Sequence, residues 1–279
     1  MPDQQIVMKK YRLPLEYMIR EVNFFHHCEF APPLINYNLI KKQLFSRYIK
    51  GTRYLTLEDF FSQKDLIDEI AGMLNEFHRK NPGRPQIFSY RKLWHEILKY
   101  LTQKGENKLV ERVRRFSFNF IDKPVNFSYV YGDLLPQNII MTLKKPHKKF
   151  FVDGENGPFI KSLDSIGNRY IDVAYFIGWL ISSIVYRPAV KISKGNEKDK
   201  LLDFSYRFFA KYNPENEKCV IEFLMYLFVY HLSYHYRKIA DKKKGYPSKV
   251  LEYYRELIPL LANKYSSIEK FLYKIDELF

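Results

Sequence analysis

The sequence predicts an α+β fold in which a little β-structure at the N-terminus precedes a large, mostly helical remainder. Three observations support this prediction: short β-branched runs flank a helical repeat within residues 1–55, short apolar runs separated by turn residues occupy 125–154, and residues 170–279 show helical apolar spacing. A length of 279 residues with 46% hydrophobic residues is enough for one large domain or two unequal lobes.

The first elements alternate between strand and helix. Residues 5–11 (QIVMKKY) predict a short strand, and residues 15–28 predict a helix because apolar side chains recur every three or four positions. The APPLI segment ends this helix, since proline cannot continue one. Residues 43–55 (QLFSRYIKGTRYL) then predict a strand that meets a glycine turn.

From Thr56 onward the pattern becomes helical. Residues 65–83 place Leu66, Ile70, Leu74 and Phe77 on one face and stop at Asn81-Pro82-Gly83. Further helices are predicted over 89–105 and 107–116, and four or five more over 170–279.

The middle of the chain carries the most informative stretch, YGDLLPQNIIM, followed by FFVDGE. Asp133 and Asn138 share one turn, and Asp153 follows the second apolar run of a predicted hairpin, NIIMTLKKPHKKFFVD. Antiparallel pairing would place Asn138 beside Asp153, with Asp133 close to both. Mg²⁺ prefers oxygen ligands and keeps several waters, so one or two such groups plus phosphate oxygens suffice for Mg-assisted phosphoryl transfer. The alternative is that Asp133 and Asn138 only build a turn, which both residue types favour.

These residues resemble the HGDxxxxN…D signature of aminoglycoside phosphotransferases, choline/ethanolamine kinases and related eukaryotic-type kinase folds. The resemblance extends over most of the chain. IVMKKY resembles the strand with the phosphate-binding lysine, MIREVNFF the helix that follows it, and FSRYIKGTRYL the hinge between lobes. EIAGMLNEFHR and NRYIDVAYFIGWL resemble two helices of the same family.

The resemblance implies a two-lobed, protein-kinase-like fold with a reduced N-terminal β lobe over 1–50 and a large, mostly helical C-terminal lobe over 51–279. The first lobe would hold the strand, helix and strand up to the hinge. The second would hold the catalytic loop, a metal-binding hairpin and a helical substrate-binding insert.

The resemblance also implies site residues and the cofactors ATP and Mg²⁺. Asp133 would be the catalytic base or the residue that orients the acceptor hydroxyl. Asn138 and Asp153 would be metal ligands, and Lys9, with Lys10 as second choice, would contact phosphate with Glu21 as its partner.

Three further residues are implied to support the site. Asp172 would brace the catalytic loop from the start of a buried helix, and Glu155 matches the second acid of a DxE pattern whose role stays open. Tyr131 stands where the family has a histidine that organises the loop. Lys9 comes so early that two strands and the Gly-rich loop of the family have no room before it, which indicates either a misassigned start or a trimmed lobe.

Net charge, cysteine spacing and hydrophobicity limit the partners and the cell compartment that we expect. The net charge of +15 favours anionic partners without choosing among them. Cys28 and Cys219 lie far apart and lack a metal-binding spacing, and the N-terminus lacks an apolar signal core, so we expect a cytoplasmic protein. Residues 170–186 are short for a membrane span and carry Asp172, which favours a buried helix.

Three histidines and one lysine-rich segment are expected to have structural rather than functional roles. His231 and His235 lie four positions apart on a helix, but aromatic packing is favoured over metal binding because no third ligand is evident. His78 is expected to pack rather than to catalyse, and the KKPHKK segment at 144–149 is expected to be a solvated basic turn, with contact to an anionic substrate or RNA as the alternative.

The function predicted first is an ATP- and Mg²⁺-dependent transfer of the γ-phosphate to a hydroxyl of a small molecule such as an amino alcohol, a sugar or an aminoglycoside. A small-molecule acceptor is preferred because DGE stands where protein kinases have DFG and because a helical insert precedes the catalytic loop. Two alternatives stay open: an atypical protein kinase, and a pseudokinase that binds an anionic partner such as nucleic acid.

Overall fold

A computed structural model describes residues 5–12, 14–83, 90–116, 118, 127–154, 166–189, 197–240, 249–262, 265 and 267–278. The chain forms two compact units. The first unit comprises Met1–Gln86 and Pro124–Asp172, and the second comprises Ile87–Lys123 and Val173–Phe279. The division into lobes over 1–50 and 51–279 stays a prediction.

The strands of the described residues are short and all lie in the first unit. They are β1 Ile6–Lys10, β2 Leu34–Asn38, β3 Gln43–Arg47, β4 Thr52–Tyr54, β5 Phe127–Tyr129, β6 Ile139–Thr142, β7 Lys149–Phe151 and β8 Ile166–Asn168. They form antiparallel sheets in the orders β1-β3-β2, β4-β6-β7 and β5-β8.

The helices account for most of the remaining described residues. They are α1 Leu15–His27, α2 Leu57–Ser62, α3 Leu66–Lys80, α4 Arg91–Gln103, α5 Asn107–Arg114, α6 Tyr170–Ala189, α7 Glu197–Tyr212, α8 Glu217–Ala240, α9 Lys249–Leu261 and α10 Ile268–Leu278.

The N-terminal sheet packs on α1. Apolar side chains of α1 at Met18 and Val22 form a buried cluster with Tyr11 and Leu44. These side chains recur at the helical spacing that predicted α1, and their burial fixes which face of the helix meets the sheet. The predicted strand over 5–11 and the helix over 15–28 are thus confirmed as β1 and α1.

The predicted strand over 43–55 is two strands separated by a turn. Gly51, with φ of +68°, turns the chain between β3 and β4. A side chain at this φ would be strained, which explains the glycine. Thr56 then begins α2 with a capping box, in which its side chain and that of Asp59 satisfy each other's backbone N–H groups.

Two strands were not predicted from the sequence. β2 follows Pro32 and Pro33, which come after the end of α1 at His27, and β8 precedes α6 and pairs with β5. The apolar runs over 125–154 therefore contribute to two sheets, because β5 pairs with β8 whereas β6 pairs with both β7 and β4.

Aromatic side chains form the core of each unit. In the first unit the rings of Phe24 and Tyr131 lie edge to face with centroids 5.0 Å apart, and Phe151 lies 5.8 Å from Tyr131. In the second unit Phe176 and Phe208 stack at 4.4 Å. Such pairs stabilise the fold by about 1 kcal/mol each beyond the area they bury.

The apolar segment that begins at Tyr170 is a buried helix, as the sequence predicted. Every side chain from Tyr170 to Ile177 is buried, including Asp172. None of the helices in the described part of the chain combines the length and the apolar character that a membrane span requires.

Candidate functional site

The turn that carries Asp133 and Asn138 is closed by the side chain of Asn138. Its Nδ2 donates to the backbone carbonyl of Asp133 at 2.9 Å and to Asp133 Oδ2 at 3.2 Å. A backbone carbonyl can only accept, so the nitrogen of the amide must face Asp133 and the Oδ1 of Asn138 must point the other way. The turn therefore presents an amide oxygen and a half-buried carboxylate together.

The β6–β7 hairpin brings Asp153 next to this turn. Ile139 pairs with Phe151, and the N–H of Val152 donates to the carbonyl of Asn138 at 2.9 Å. Asp153 is the next residue and leaves the strand direction with φ of +59°, in the left-handed region. Asp tolerates this conformation better than most residues.

Lys9 joins Asp153 to α1. Its Nζ lies 2.8 Å from Asp153 Oδ1 and 2.9 Å from Glu21 Oε2. The side chain of Lys9 is 28% exposed and that of Asp153 is 43% exposed, so the pair is open to a ligand from solvent. The family resemblance implied that Glu21 is the partner of Lys9, but it did not imply contact between Lys9 and Asp153.

Glu21 binds the ammonium group of Lys9 from a buried position. Its side chain is 1% exposed and accepts from Lys9 and from the hydroxyl of Tyr11. The ring of Tyr11 also lies 5.0 Å below the ammonium group of Lys9. A buried carboxylate needs such partners, because desolvation without them is costly.

Asp172 braces the turn from the start of α6. Its carboxylate accepts from the backbone N–H groups of Tyr131 at 2.8 Å and Gly132 at 2.5 Å, and from Nε2 of His78 at 2.9 Å. Gly132 has φ of +84°, which suits glycine and lets the two successive N–H groups converge on one carboxylate. Asp172 thus lies against the backbone just before Asp133, the loop that the family resemblance implied it would brace.

The contact between His78 and Asp172 was not predicted from the sequence. Burial lowers the pKa of His78, an effect that the hydrogen bond to Asp172 only partly opposes. The imidazole is therefore neutral near pH 7 and its Nε2–H donates to Asp172. The available signal was the position of His78 at the buried end of the apolar face of α3.

Tyr131 occupies the core beneath the turn. Its ring packs between Phe24 and Phe151, and its hydroxyl donates to the carbonyl of Asn138 at 3.4 Å. Burial, with smaller contributions from nearby carboxylates, raises the pKa of Tyr131 well above its ordinary value, so the side chain stays neutral. It links the aromatic core to the residue that precedes β6.

Gly154 allows the close approach of the hairpin to α1. A Cβ at this position would lie 2.4 Å from Cδ1 of Phe24. A larger residue would overlap this ring unless Phe24 or the backbone shifted.

Two predicted residues stay outside this arrangement. Lys10, the second choice for the phosphate-binding lysine, is exposed at the end of β1. Glu155 lies outside the described residues.

The donor set fits a hard divalent cation. Asn138 offers its Oδ1 and Asp153 its exposed carboxylate, and both are oxygen ligands of the kind that Mg²⁺ prefers. In the described part of the chain no three His, Cys, Asp or Glu residues cluster as a metal cage would require. Mg²⁺ does not need such a cage, because waters and phosphate oxygens complete its coordination.

Comparison with solved structures supports the fold. Choline kinase LicA from Streptococcus pneumoniae superposes with a TM-score of 0.55 at 12% identity, over 95% of this chain and 88% of that one. A choline/ethanolamine kinase family protein from Mesorhizobium loti gives a TM-score of 0.53 at 10% identity, over 98% and 87% of the two chains. The chain has a choline-kinase-like, protein-kinase-like fold.

The choline-kinase-like fold confirms the predicted α+β class, with small antiparallel sheets and a helical part. A structure of LicA in complex with AMP is also similar, with a TM-score of 0.50 at 13% identity, over 98% of this chain and 86% of that one. No protein-family model and no curated protein matches the sequence.

Proposed function

We propose that this protein is a small-molecule kinase that transfers the γ-phosphate of ATP to an alcohol with the help of Mg²⁺. The observation that carries the proposal is the continuous set of contacts from Glu21 through Lys9 to Asp153, placed beside the turn of Asp133 and Asn138. It combines a cation for phosphate, oxygen ligands for a metal and a carboxylate near both. These are the groups that phosphoryl transfer requires.

Lys9 binds the phosphates in this proposal. Its ammonium group is held by Glu21 from inside and faces Asp153 at the surface, so it is positioned before a ligand arrives. A nucleotide phosphate would add a further anionic oxygen to the same ammonium group.

Asn138 and Asp153 would hold the metal ion. When bound, Mg²⁺ neutralises charge on the phosphate oxygens. Asn138 contributes through its fixed amide orientation, because its Nδ2 is occupied by Asp133. Asp153 contributes a carboxylate that Lys9 already orients.

Asp133 is proposed to receive or orient the proton of the acceptor hydroxyl. Its carboxylate is half-buried and is oriented by the amide of Asn138. Asp172 and His78 act indirectly in this proposal. Asp172, held by His78, fixes the backbone of Tyr131 and Gly132 just before Asp133.

The nucleobase is proposed to lie on one face of the sheet β4-β6-β7. Tyr54 pairs with Ile140, and Ile140 pairs with Phe150, so their side chains lie on one face across the three strands. Tyr54 is 56% exposed, whereas Ile140 and Phe150 are partly buried. Such a surface next to Asn138 suits a purine ring, and the AMP complex of LicA supports a nucleotide ligand in this fold.

The acceptor is proposed to be a small hydroxyl compound of the amino alcohol, sugar or aminoglycoside type. Choline and ethanolamine come first in a screen because the solved structures that resemble this chain are named for these substrates.

A phosphate-transfer screen tests the proposal. Wild-type protein is incubated with Mg·ATP and each acceptor, and phosphomonoester formation is followed by ³¹P NMR; peptides are included to detect an atypical protein kinase. We expect a phosphomonoester of at least one small alcohol. Transfer to peptides alone would replace the small-molecule assignment, and failure of Mg·ATP to raise the melting temperature would support the pseudokinase alternative.

A further inference from the structure

The tip of the β6–β7 hairpin, residues 143–148, is a basic and partly apolar projection. The side chain of Leu143 is 57% exposed, and Lys144, Lys145 and Lys148 are exposed as well. This hairpin tip lies at the end of the hairpin opposite Asn138 and Asp153, since Thr142 and Lys149 flank the tip whereas Ile139 and Phe151 face the site.

Hydrogen bonds to Thr142 close the hairpin tip. The N–H of Lys148 donates to Thr142 Oγ1 at 2.8 Å, and Thr142 Oγ1 donates to the carbonyl of Lys144 at 3.2 Å. Nδ1 of His147 donates to the carbonyl of Thr142 at 2.8 Å. The lysines are therefore presented from an ordered loop, which reduces the entropy lost when they bind a partner.

The positive charge of the hairpin tip is not neutralised within the described residues. Lys149, at the start of β7, is paired with Glu69, but the ammonium groups of Lys144, Lys145 and Lys148 form no salt bridge with a described residue. A further exposed cation, Lys50, precedes Gly51, whose carbonyl accepts from the N–H of Leu143 at 2.6 Å. The result is a cluster of exposed cations around an exposed leucine.

We propose that the hairpin tip docks this protein on a bilayer surface that contains anionic lipids. Lysines near such a surface are attracted to phosphate and carboxylate headgroups, and an apolar side chain between them gains by entering the interface. A nucleic-acid partner is less well matched, because residues 143–148 contain no Phe, Tyr or Trp on which a base could stack, and the one ring among them, His147, is partly buried and held by the carbonyl of Thr142. The proposal does not depend on the proposed kinase activity.

Vesicle co-sedimentation tests the proposal with three proteins. The vesicles are phosphatidylcholine alone, or phosphatidylcholine with about 30% phosphatidylserine, in about 0.1 M salt. The tip variant is Lys144→Ala/Lys145→Ala/Lys148→Ala. The control, Lys92→Ala/Lys99→Ala/Lys108→Ala, removes the same charge from exposed lysines of α4 and α5.

We expect wild-type protein to bind the anionic vesicles and not the neutral ones. The tip variant should bind roughly a hundredfold more weakly, while the control should lose much less. Equal losses in both variants would show that only net charge matters and would overturn the proposal. Absence of wild-type binding to anionic vesicles would overturn it as well.

Two further measurements separate the bilayer from other anionic partners. Leu143→Asn should weaken vesicle binding several-fold and leave its salt dependence unchanged, because the leucine carries no charge. An unchanged affinity would contradict insertion of the tip. If a single-stranded RNA oligonucleotide binds more tightly than the vesicles and the tip variant loses that binding, the partner is RNA and the bilayer proposal is wrong.

Discussion

The ammonium group of Lys9 lies 2.8 Å from the carboxylate of Asp153, although the two residues are 144 positions apart in the chain. This contact joins the N-terminal sheet to the end of the β6–β7 hairpin within one compact unit. In the proposed function, it places the cation proposed to bind phosphate beside the carboxylate proposed to bind the metal ion.

Replacing Asp153 by asparagine should remove most of the stabilisation that Mg·ATP provides. A ligand at a hundred times its Kd stabilises the native state by about 2.7 kcal/mol, or roughly 5 °C for a chain of this size. Asp153→Asn should show little shift in a thermal melt with Mg·ATP. Asp203→Asn, at an exposed position of α7, is the matched control and should retain it. A full shift in Asp153→Asn would show that Asp153 is not a metal ligand.

Asp172→Asn should destabilise the native state by about 3 kcal/mol. Asparagine would turn an N–H₂ group toward one of the backbone N–H groups of Tyr131 and Gly132, which would leave a buried donor without an acceptor. Urea unfolding measures this change. His78→Gln keeps a donor toward Asp172 and should cost less. A loss below about 0.5 kcal/mol for Asp172→Asn would contradict the bracing role.

Gly154→Ala should lower stability by about 1–3 kcal/mol because the new methyl group would overlap the ring of Phe24. The same substitution made in a Phe24→Leu background should cost clearly less, since the smaller side chain gives way. A double-mutant cycle from urea unfolding gives the coupling between the two positions. If the two changes are simply additive, the contact between Gly154 and Phe24 does not limit the position of α1.

Acid should destabilise the second unit through His231. Burial, together with neighbouring His235, lowers the pKa of His231 to about 3, and burial lowers that of His235 to about 4. The unfolded chain takes up these protons near pH 6.5 and the folded chain does not, so stability is retained above pH 6.5 and falls as the pH drops below it. At pH 5 the loss due to His231 alone is about 2 kcal/mol.

His231→Phe tests this sign and size. Phenylalanine can keep the ring contact with Tyr254, where the centroids are 6.2 Å apart, but it cannot take up a proton. The fall in unfolding free energy between pH 7 and pH 5 should be about 2 kcal/mol smaller in the variant. An identical fall in both proteins would show that His231 does not contribute.

Local pattern was enough to predict the elements that carry the site. β1 and α1 follow from short-range periodicity, and the hairpin follows from two apolar runs separated by turn residues. If the two runs pair as an antiparallel hairpin, the start of the first strand lies beside the end of the second. Asn138 and Asp153 must then be close. The roles of Lys9, Glu21 and Asp172 were implied by the family resemblance and not by the periodicity of the sequence.

Long-range pairing was beyond the sequence pattern. β8 is three residues with a central glycine, so it carries no alternation, and its partner β5 lies far away in the chain. β2 contains two asparagines and is mostly exposed, so its sequence lacks the alternation of apolar and polar residues that predicts a strand. The contact of His78 with Asp172 spans 94 positions, and a buried histidine on a helix face looks the same whether it only packs or also donates.

The most direct test of the central claim is the rate of phosphate transfer by Asp133→Asn, measured beside its Mg·ATP-induced melting shift. Removing a general base lowers turnover by about 10²- to 10⁴-fold. The account predicts such a loss of rate with the melting shift nearly intact, because Asp133 acts on the acceptor and not on the nucleotide. Transfer at the wild-type rate would contradict it.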